Sequence, residues 1–209
     1  MKTAETTEQR AEHWNDIFSH KADQELGWYE QDVGQTLKYL DLAELPATAR
    51  IFLPGVGRSG IVSALLQRQY QLILNDVSTC ALEELKQRCT APDRCRWLLH
   101  DISVPLQAEV SADIWIDRAV LHFLLGEKEI SQYFDNLRRV ISKGGYALFA
   151  EFASDGASSC AGLAVHRYSL EELSRRMGER FELVAHEHYQ FTTPAGGTRP
   201  YIYALYRHL

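Results

Sequence analysis

The sequence predicts an α/β fold in which helices cover both faces of a mostly parallel sheet that ends in an antiparallel hairpin. Three observations carry this. From about residue 50 onward, short apolar runs alternate with amphipathic stretches, the pattern of strands joined by crossover helices. A glycine-bearing turn, Pro54-Gly55-Val56-Gly57, directly follows the first of those runs. The last two β-like runs have no helix between them, so they are expected to pair antiparallel.

The elements follow in order. Glu8 to Lys21 and Val33 to Leu45 read as two amphipathic helices, the second carrying Leu37, Leu40, Leu42 and Leu45 and closed by Pro46. The aromatic turn Gly27-Trp28-Tyr29 lies between them. Arg50 to Leu53 is a buried strand meeting the turn, and Ser59 to Gln69 a helix with Ile61, Val62, Leu65 and Leu66 on one face. Gln71 to Asn75 is a second strand, and Ser78 an N-cap for a helix to about Cys89. Arg96 to Leu99 and Asp113 to Asp117 supply strands three and four. A long helix from about Glu127 to Ile141 is expected to break at Gly144-Gly145, ahead of a fifth strand from Tyr146 to Phe152. Ser169 caps a helix through Met177. Phe181 to Phe191 and Tyr201 to His208 form the final pair, joined by a turn containing Pro194, Gly196 and Gly197. No repeat or low-complexity linker interrupts the chain, so one domain over 1–209 is expected, with 1–48 as a helical cap and 49–209 as the core.

Composition narrows the function. At 209 residues, 45% hydrophobic and 24% charged, the chain suits a soluble domain with a substantial core. A net charge of 22 − 28 = −6 argues against nucleic acid as the main partner. The polar start of the chain predicts no secretory leader, and apolar runs such as Leu121 to Leu125 fall far short of the roughly 20 residues that span a bilayer. Cys80, Cys89, Cys95 and Cys160 show no zinc-ligand spacing, so neither a membrane partner nor a metal is expected. Reduced thiols and a cytoplasmic location follow as expectations.

The strongest constellation is Leu53-Pro54-Gly55-Val56-Gly57-Arg58-Ser59-Gly60, between strand one and the helix after it. Glycine is needed where a Cβ would keep a ligand off the backbone, and the helix start turns free N–H groups toward that ligand. Asp76 ends the next strand, 76 − 55 = 21 positions on, where a carboxylate can accept both ribose hydroxyls of a nucleoside. The bland alternative is a tight turn without a ligand. Gly55, Gly57 and Gly60 also match the G-x-G-x-x-G of NAD folds, so spacing alone leaves a dinucleotide and S-adenosylmethionine (SAM) both open. Three features favour SAM: Asp101 at the end of strand three could meet an adenine amino group, no second domain serves a hydride acceptor, and the terminal strand pair lacks a helix.

Here the chain resembles the class I SAM-dependent methyltransferases. Gly55-Val56-Gly57 is similar to that family's first motif, Asn75-Asp76-Val77-Ser78 to its second and His100-Asp101-Ile102 to its third. Asp113 to Arg118 is similar to the fourth, and Lys143-Gly144-Gly145-Tyr146 to the turn into strand five. Within the superfamily, His13 to Phe18, Gly27 to Glu30 and Asp117 to Leu124 resemble small bacterial proteins of the thiopurine and tellurite-resistance types, as does the stretch around Cys160-Ala161-Gly162-Leu163 and Arg167-Tyr168-Ser169. The resemblance implies a Rossmann-like seven-stranded sheet and a cofactor site of Trp28, Gly55, Gly57, Asp76, Val77, Asp101, Ile102 and Asp117. It leaves the acceptor open. Two departures stand out: Leu53 where many relatives carry an acid, and Ser59 where the commonest motif has a third glycine.

The chemistry follows from a methyl group already activated on a sulfonium: the protein must hold an acceptor in line and exclude water. Arg118 and His122 are the candidate catalytic groups, Arg118 to orient an anionic acceptor and His122 as a base. Their structural alternatives are an Arg118 pair with Asp117 or Glu151, and a hydrogen-bonded helix histidine. Trp14, Trp28 and Tyr29 are candidates for an aromatic lid over the sulfonium, worth about 0.5–2 kcal/mol, or for simple packing. The Ser- and Gly-rich stretch 154–167 suits an acceptor-binding loop. Within it Cys160 reads as a packing residue, and Arg199 as a solvated side chain. A small-molecule acceptor with a sulfur, nitrogen or oxygen nucleophile is expected. The alternatives are a lysine side chain, a non-catalytic nucleotide-binding module and, more distantly, an NAD-dependent reductase.

Overall fold

The computed structural model describes residues 6–107 and 109–209; Met1 to Glu5, part of the polar start of the chain, lie outside them. The elements are α1 (Thr7–His20), α2 (Gly34–Asp41), β1 (Arg50–Leu53), α3 (Ile61–Gln67), β2 (Gln71–Asp76), α4 (Thr79–Arg88), β3 (Cys95–Leu99), β4 (Ala112–Arg118), α5 (Glu127–Val140), β5 (Ile141–Phe152), β6 (Ser159–Cys160), β7 (Leu163–Ala164), α6 (Leu170–Met177), β8 (Phe181–Thr192) and β9 (Thr198–His208). Seven strands form one sheet in the order β3-β2-β1-β4-β5-β9-β8, and β6 and β7 make a separate small hairpin. Pairings from β3 through β5 are parallel, whereas β9 runs antiparallel to both β5 and β8. The expected seven-stranded, Rossmann-like sheet with a reversed terminal hairpin is the observed one.

The period-two alternation of each strand divides the core into two layers. Ile51, Leu53, Leu72, Leu74, Ile114 and Ile116 face α2, α3 and α4. Phe52, Ile73, Trp115, Ala147 and Phe149 face α5 and α6. Phe52 stacks on Trp115 at 4.3 Å between centroids, and Trp115 meets Tyr133 of α5 edge-on at 5.4 Å. Helix α1 stands apart, fastened to α4 through Ile17, Phe18 and Ala81. Its start is a capping box of Thr6 and Gln9.

Helix limits moved where backbone geometry intervened. The second helix stops at Asp41, short of the expected Leu45, because Glu44 takes φ +46 and Leu42 points to solvent. The third stops at Gln67, before Gln69 at φ +68. The Gly144-Gly145 pair does not end a helix: α5 already stops at Val140, and the glycines lie inside β5. Ala112 pairs with Ile141 but Ile114 with Tyr146, so residues 142–145 bulge opposite Asp113. A Cβ on Gly145 would sit 2.7 Å from the Asp113 carbonyl oxygen, which explains the glycine. Stretch 154–167 is not an open loop, since it contains the β6–β7 hairpin and buries Cys160.

Candidate functional site

The sheet order reverses between β1 and β4, and a crevice opens at the carboxyl ends of the strands there, as open α/β sheets place ligands. Its floor comes from the segments after β1, β2, β3 and β4, and its roof from α1, the Trp28 turn and Leu163. Gly55, Gly57, Asp76, Val77, Asp101, Ile102, Trp28 and Arg118 all line it. The enclosed volume is about 130 Å³, below the several hundred Å³ of a typical ligand site.

The glycine turn is shaped by two left-handed residues, Gly55 at φ +47 and Gly57 at φ +53. A Cβ on Gly55 would lie 2.6 Å from Val120 Cγ2, and one on Gly57 3.0 Å from Phe18 Cζ. Gly60 differs, since its φ is ordinary and a Cβ there would meet only the Glu30 carbonyl at 3.9 Å. The third glycine of the dinucleotide pattern, needed there for close helix–strand packing, has no such duty in this chain. Ser59 Oγ accepts from Ile61 N at 3.4 Å, but the N-cap of α3 is Gly60 and no side chain caps the helix, so Ser59 does not hold the capping position expected of it.

Asp76 folds back onto this turn. Its carboxylate accepts from Gly57 N at 2.7 Å and from Ser78 N at 2.8 Å. Burial pushes it up to about 6, and those backbone donors restrain the rise. Ser78 caps α4 by accepting from Ala81 N, and its hydroxyl donates to Asn15 Oδ1 of α1 at 2.7 Å. Asp101 accepts from Ser103 N at 2.9 Å, Thr7 Oγ1 at 2.8 Å and Arg10 Nη1 at 2.9 Å. Burial alone would raise it, but the Ser103 and Thr7 bonds and the Arg10 charge hold it below the usual carboxylate value. Arg10 also pairs with Glu129 at the start of α5.

The roof is aromatic. Trp14 meets Trp28 edge-on at 5.6 Å and Phe123 at 4.9 Å. Tyr29 lines the same space. Beneath it Arg118 pairs with neither Asp117 nor Glu151 but with Glu30, its Nε standing 2.9 Å from Oε1. Nη1 donates to the Trp28 carbonyl, and the guanidinium lies 4.5 Å from the Phe191 ring centre. Burial would lower the Arg118 value, yet the Glu30 charge more than compensates and the guanidinium stays charged.

Two predicted site residues lie outside the crevice. Asp117 is fully buried below it, accepting from Val120 N and Leu121 N at 3.1 Å and from the Tyr133 hydroxyl. Burial and the neighbouring Glu151 push it well above the ordinary value. His122 is equally buried, and its Nδ1 stands 2.7 Å from Glu151 Oε2. Burial lowers the imidazole and raises Glu151 to about 8. Arg199 is half-buried rather than solvated, donating to Cys160 Sγ at 3.4 Å. Sequence reasoning gave no role to Arg10 or Glu30. Both act across more than 80 positions, on Asp101 and Arg118, and no local pattern announces such pairs. Among the described residues no group of three or more His, Cys, Asp or Glu is placed to hold a metal. No helix there is long and apolar enough to cross a membrane.

Comparisons with known proteins agree with this geometry. Residues 53–149, from the end of β1 to β5, match the family of the methyltransferase domain. A SAM-dependent methyltransferase from Anabaena variabilis superposes with TM-score 0.77 at 19% identity, over 99% of this chain and 96% of that one. The 1,6-didemethyltoxoflavin-N1-methyltransferase of Burkholderia thailandensis, solved with S-adenosylhomocysteine (SAH), gives 0.73 at 18% over 100% and 92%. A TehB-like SAM-dependent methyltransferase from Corynebacterium glutamicum gives 0.63 at 16% over 97% and 98%. No curated protein matches by sequence. The match over 53–149 is to the methyltransferase domain family, and the whole length of the chain has the fold of the class I SAM-dependent methyltransferases.

Proposed function

We propose that this chain is a SAM-dependent methyltransferase acting on a small molecule with a sulfur, nitrogen or oxygen nucleophile. The observation that carries the reading is the crevice itself. The glycine turn after β1 and the acids closing β2 and β3, Asp76 and Asp101, stand on one wall at the point where strand order reverses. Asp76 accepts the ribose hydroxyls, Asp101 the adenine amino group, and Val77 and Ile102 flank the purine. SAM supplies a methyl group already activated on a sulfonium.

The chain's own residues do the rest. Gly55 and Gly57 let the ligand approach the backbone, and Trp14, Trp28 and Phe123 exclude water from the transfer point. The acceptor enters beneath this roof, beside Arg118. An enclosed aromatic roof suits a small acceptor better than a protein side chain, and relatives of the same fold include enzymes named for toxoflavin-type and glycopeptide N-methylation. His122 holds Glu151 rather than a substrate proton, so the acceptor is one that needs little base assistance at neutral pH.

Isothermal titration with SAM and SAH tests the cofactor. No heat from either would end the reading. SAH release with a panel of thiols, phenols and N-heterocycles, set against a lysine peptide array, then identifies the acceptor class. Turnover with peptides alone would replace the small-molecule assignment, and binding without any turnover would make the chain a non-catalytic module.

A further inference from the structure

The crevice lies at the carboxyl ends of the strands; two thiols that it does not use sit together at the amino end of β3. Cys89 follows the last residue of α4, and its N–H closes that helix on the Lys86 carbonyl. Ala91 then takes φ −144, and Pro92–Arg94 form a single tight turn that delivers Cys95 to the first position of β3, opposite Leu72 of β2. The turn folds the chain back on itself, and Cys89 Sγ lies 3.6 Å from Cys95 Sγ. This is the one sulfur–sulfur contact among the described residues. Cys80, on the first turn of α4, faces Glu84 instead, and Cys160 is buried against Arg199.

The surroundings of the pair suit oxidation. Neither thiol is fully buried. Cys95 lines an open groove of about 610 Å³ together with Arg50, Arg94, Arg96 and Arg139, so small solutes reach it. Arg94 and Arg96 flank Cys95, and their Nη1 atoms donate to the Leu66 and Glu109 carbonyls at 3.0 Å. No carboxylate pairs with either among the described residues, and positive charge beside a thiol favours the thiolate. The two protons do not leave together. Burial and the neighbouring Cys89 push the Cys95 thiol up to about 12, against the opposing charge of Arg94, so the pair carries one charge at most, a thiolate against a thiol. The sulfurs have to approach by about 1.5 Å to reach bonded length, a shift that side-chain rotation supplies on a half-exposed turn.

We propose that Cys89 and Cys95 are a peroxide-responsive dithiol that closes to a reversible disulfide, pinning the end of α4 to the start of β3. One sulfur attacks hydrogen peroxide, forming an S–O bond as the O–O bond breaks, and the departing hydroxide is protonated to water. The second sulfur then displaces that S–OH oxygen to form the S–S bond, and its proton leaves with the oxygen as a second water. The sulfurs lose two electrons in total and the peroxide gains them. The ring that closes spans 89–95, at the opposite ends of α4 and β3 from Ser78 and Asp101, so the site stands apart from the cofactor reading.

The test treats the reduced full-length chain with hydrogen peroxide, denatures it, blocks the remaining thiols with N-ethylmaleimide and reads intact mass and tryptic peptides. The expected product labels at 4 − 2 = 2 cysteines instead of four and has lost about 2 Da, the two thiol hydrogens. Cleavage after Arg88, Arg94 and Arg96 separates Cys89 and Cys95 into two peptides, so a disulfide between them is read directly as a linked pair. Dithiothreitol should restore all four labels. Cys89→Ser and Cys95→Ser should each abolish the loss, and Cys80→Ser/Cys160→Ser should keep it. Four labels after peroxide, added oxygen without the linked peptides, or a loss that persists in Cys89→Ser overturns the proposal. The wild-type peptide map decides by itself where a serine variant fails to fold.

Discussion

The affinity of the crevice for SAH is expected to follow the charge of Asp76, which can be moved within a usable pH range. Burial raises this carboxyl from 3.8 to about 6 in the free protein. A carboxylate that accepts ribose hydroxyls is stabilised by about 1.5–3 kcal/mol per bond, so the ligand favours the ionised form. Affinity therefore rises with pH up to about 6 and levels off above it. Going from pH 6 to pH 5 is expected to weaken binding by up to about tenfold, since one proton must be displaced. The ligand's own ammonium and carboxylate keep their charges throughout that window.

Asp76→Asn separates recognition from folding. The amide keeps one acceptor oxygen, so about one charge-assisted bond is lost, or about 10- to 150-fold in affinity at pH 7.5. Stability moves the other way. A folded value above the unfolded one favours the protonated protein, and that contribution is lost as pH rises from 3.8 through about 6. At neutral pH the buried charge then costs about 3 kcal/mol, taking about 2 units at 1.36 kcal/mol each. Asparagine removes that cost while one of the two N–H donors, Gly57 or Ser78, loses its acceptor. The variant should melt no lower than wild type at pH 7.5 and bind with no pH dependence between 5 and 7. Titration calorimetry and differential scanning fluorimetry read both quantities. A wild-type affinity flat across that range, or an Asn variant with the same slope, would refute the assignment of Asp76 to the ribose.

Three further outcomes are expected. Tyr133→Phe removes the hydroxyl that accepts from Trp115 Nε1 at 2.8 Å and donates to Asp117, and should lower urea stability by about 2–4 kcal/mol; a change below about 1 kcal/mol would mean the buried network carries little. Gly55→Ala meets both a left-handed φ and the Val120 side chain, so a loss of about 1–3 kcal/mol and of SAH binding is expected, and unimpaired binding would contradict the close approach. His122 is held below its usual value by burial and does not line the crevice. His122→Gln should therefore lower the denaturation midpoint yet leave the pH–rate profile between pH 6 and 8 unchanged in shape, and a vanished inflection would make His122 a base after all.

What the sequence disclosed depended on the range of the interaction that decides each residue's place. Gly55, Gly57, Asp76 and Asp101 were legible because each follows an apolar run, and a strand end fixes where the next residue points. The terminal hairpin was legible from the lack of a helix between two alternating runs. Asp117 also ends a strand, and by that logic belonged on the crevice wall. What turns it under the floor is Tyr133, sixteen positions on across a helix, and the Val120 and Leu121 amides of the following turn. The Gly144-Gly145 pair was read as a helix stop for want of a register. Only the pairing of Ala112 with Ile141 shows that those glycines serve a bulge against Asp113. Glu30 and Arg118 lie 88 positions apart, and their pairing needs the whole sheet to exist first.

The elements around the crevice differ in what holds them. The sheet strands that carry the floor are bound by backbone ladders, whereas α1 is held by side chains: Thr7 and Arg10 on Asp101, Arg10 on Glu129, and Asn15 on Ser78. Of the elements that cover the crevice, α1 is the one whose release would break no strand ladder. On the proposed reading of the crevice, Asp101 would do two things, fasten α1 and receive the adenine amino group. Both of its oxygens are already engaged in the free protein, so the adenine contact either shares an oxygen with Arg10 or displaces it. In either case the docking energy of α1 is linked to nucleoside binding through one carboxylate.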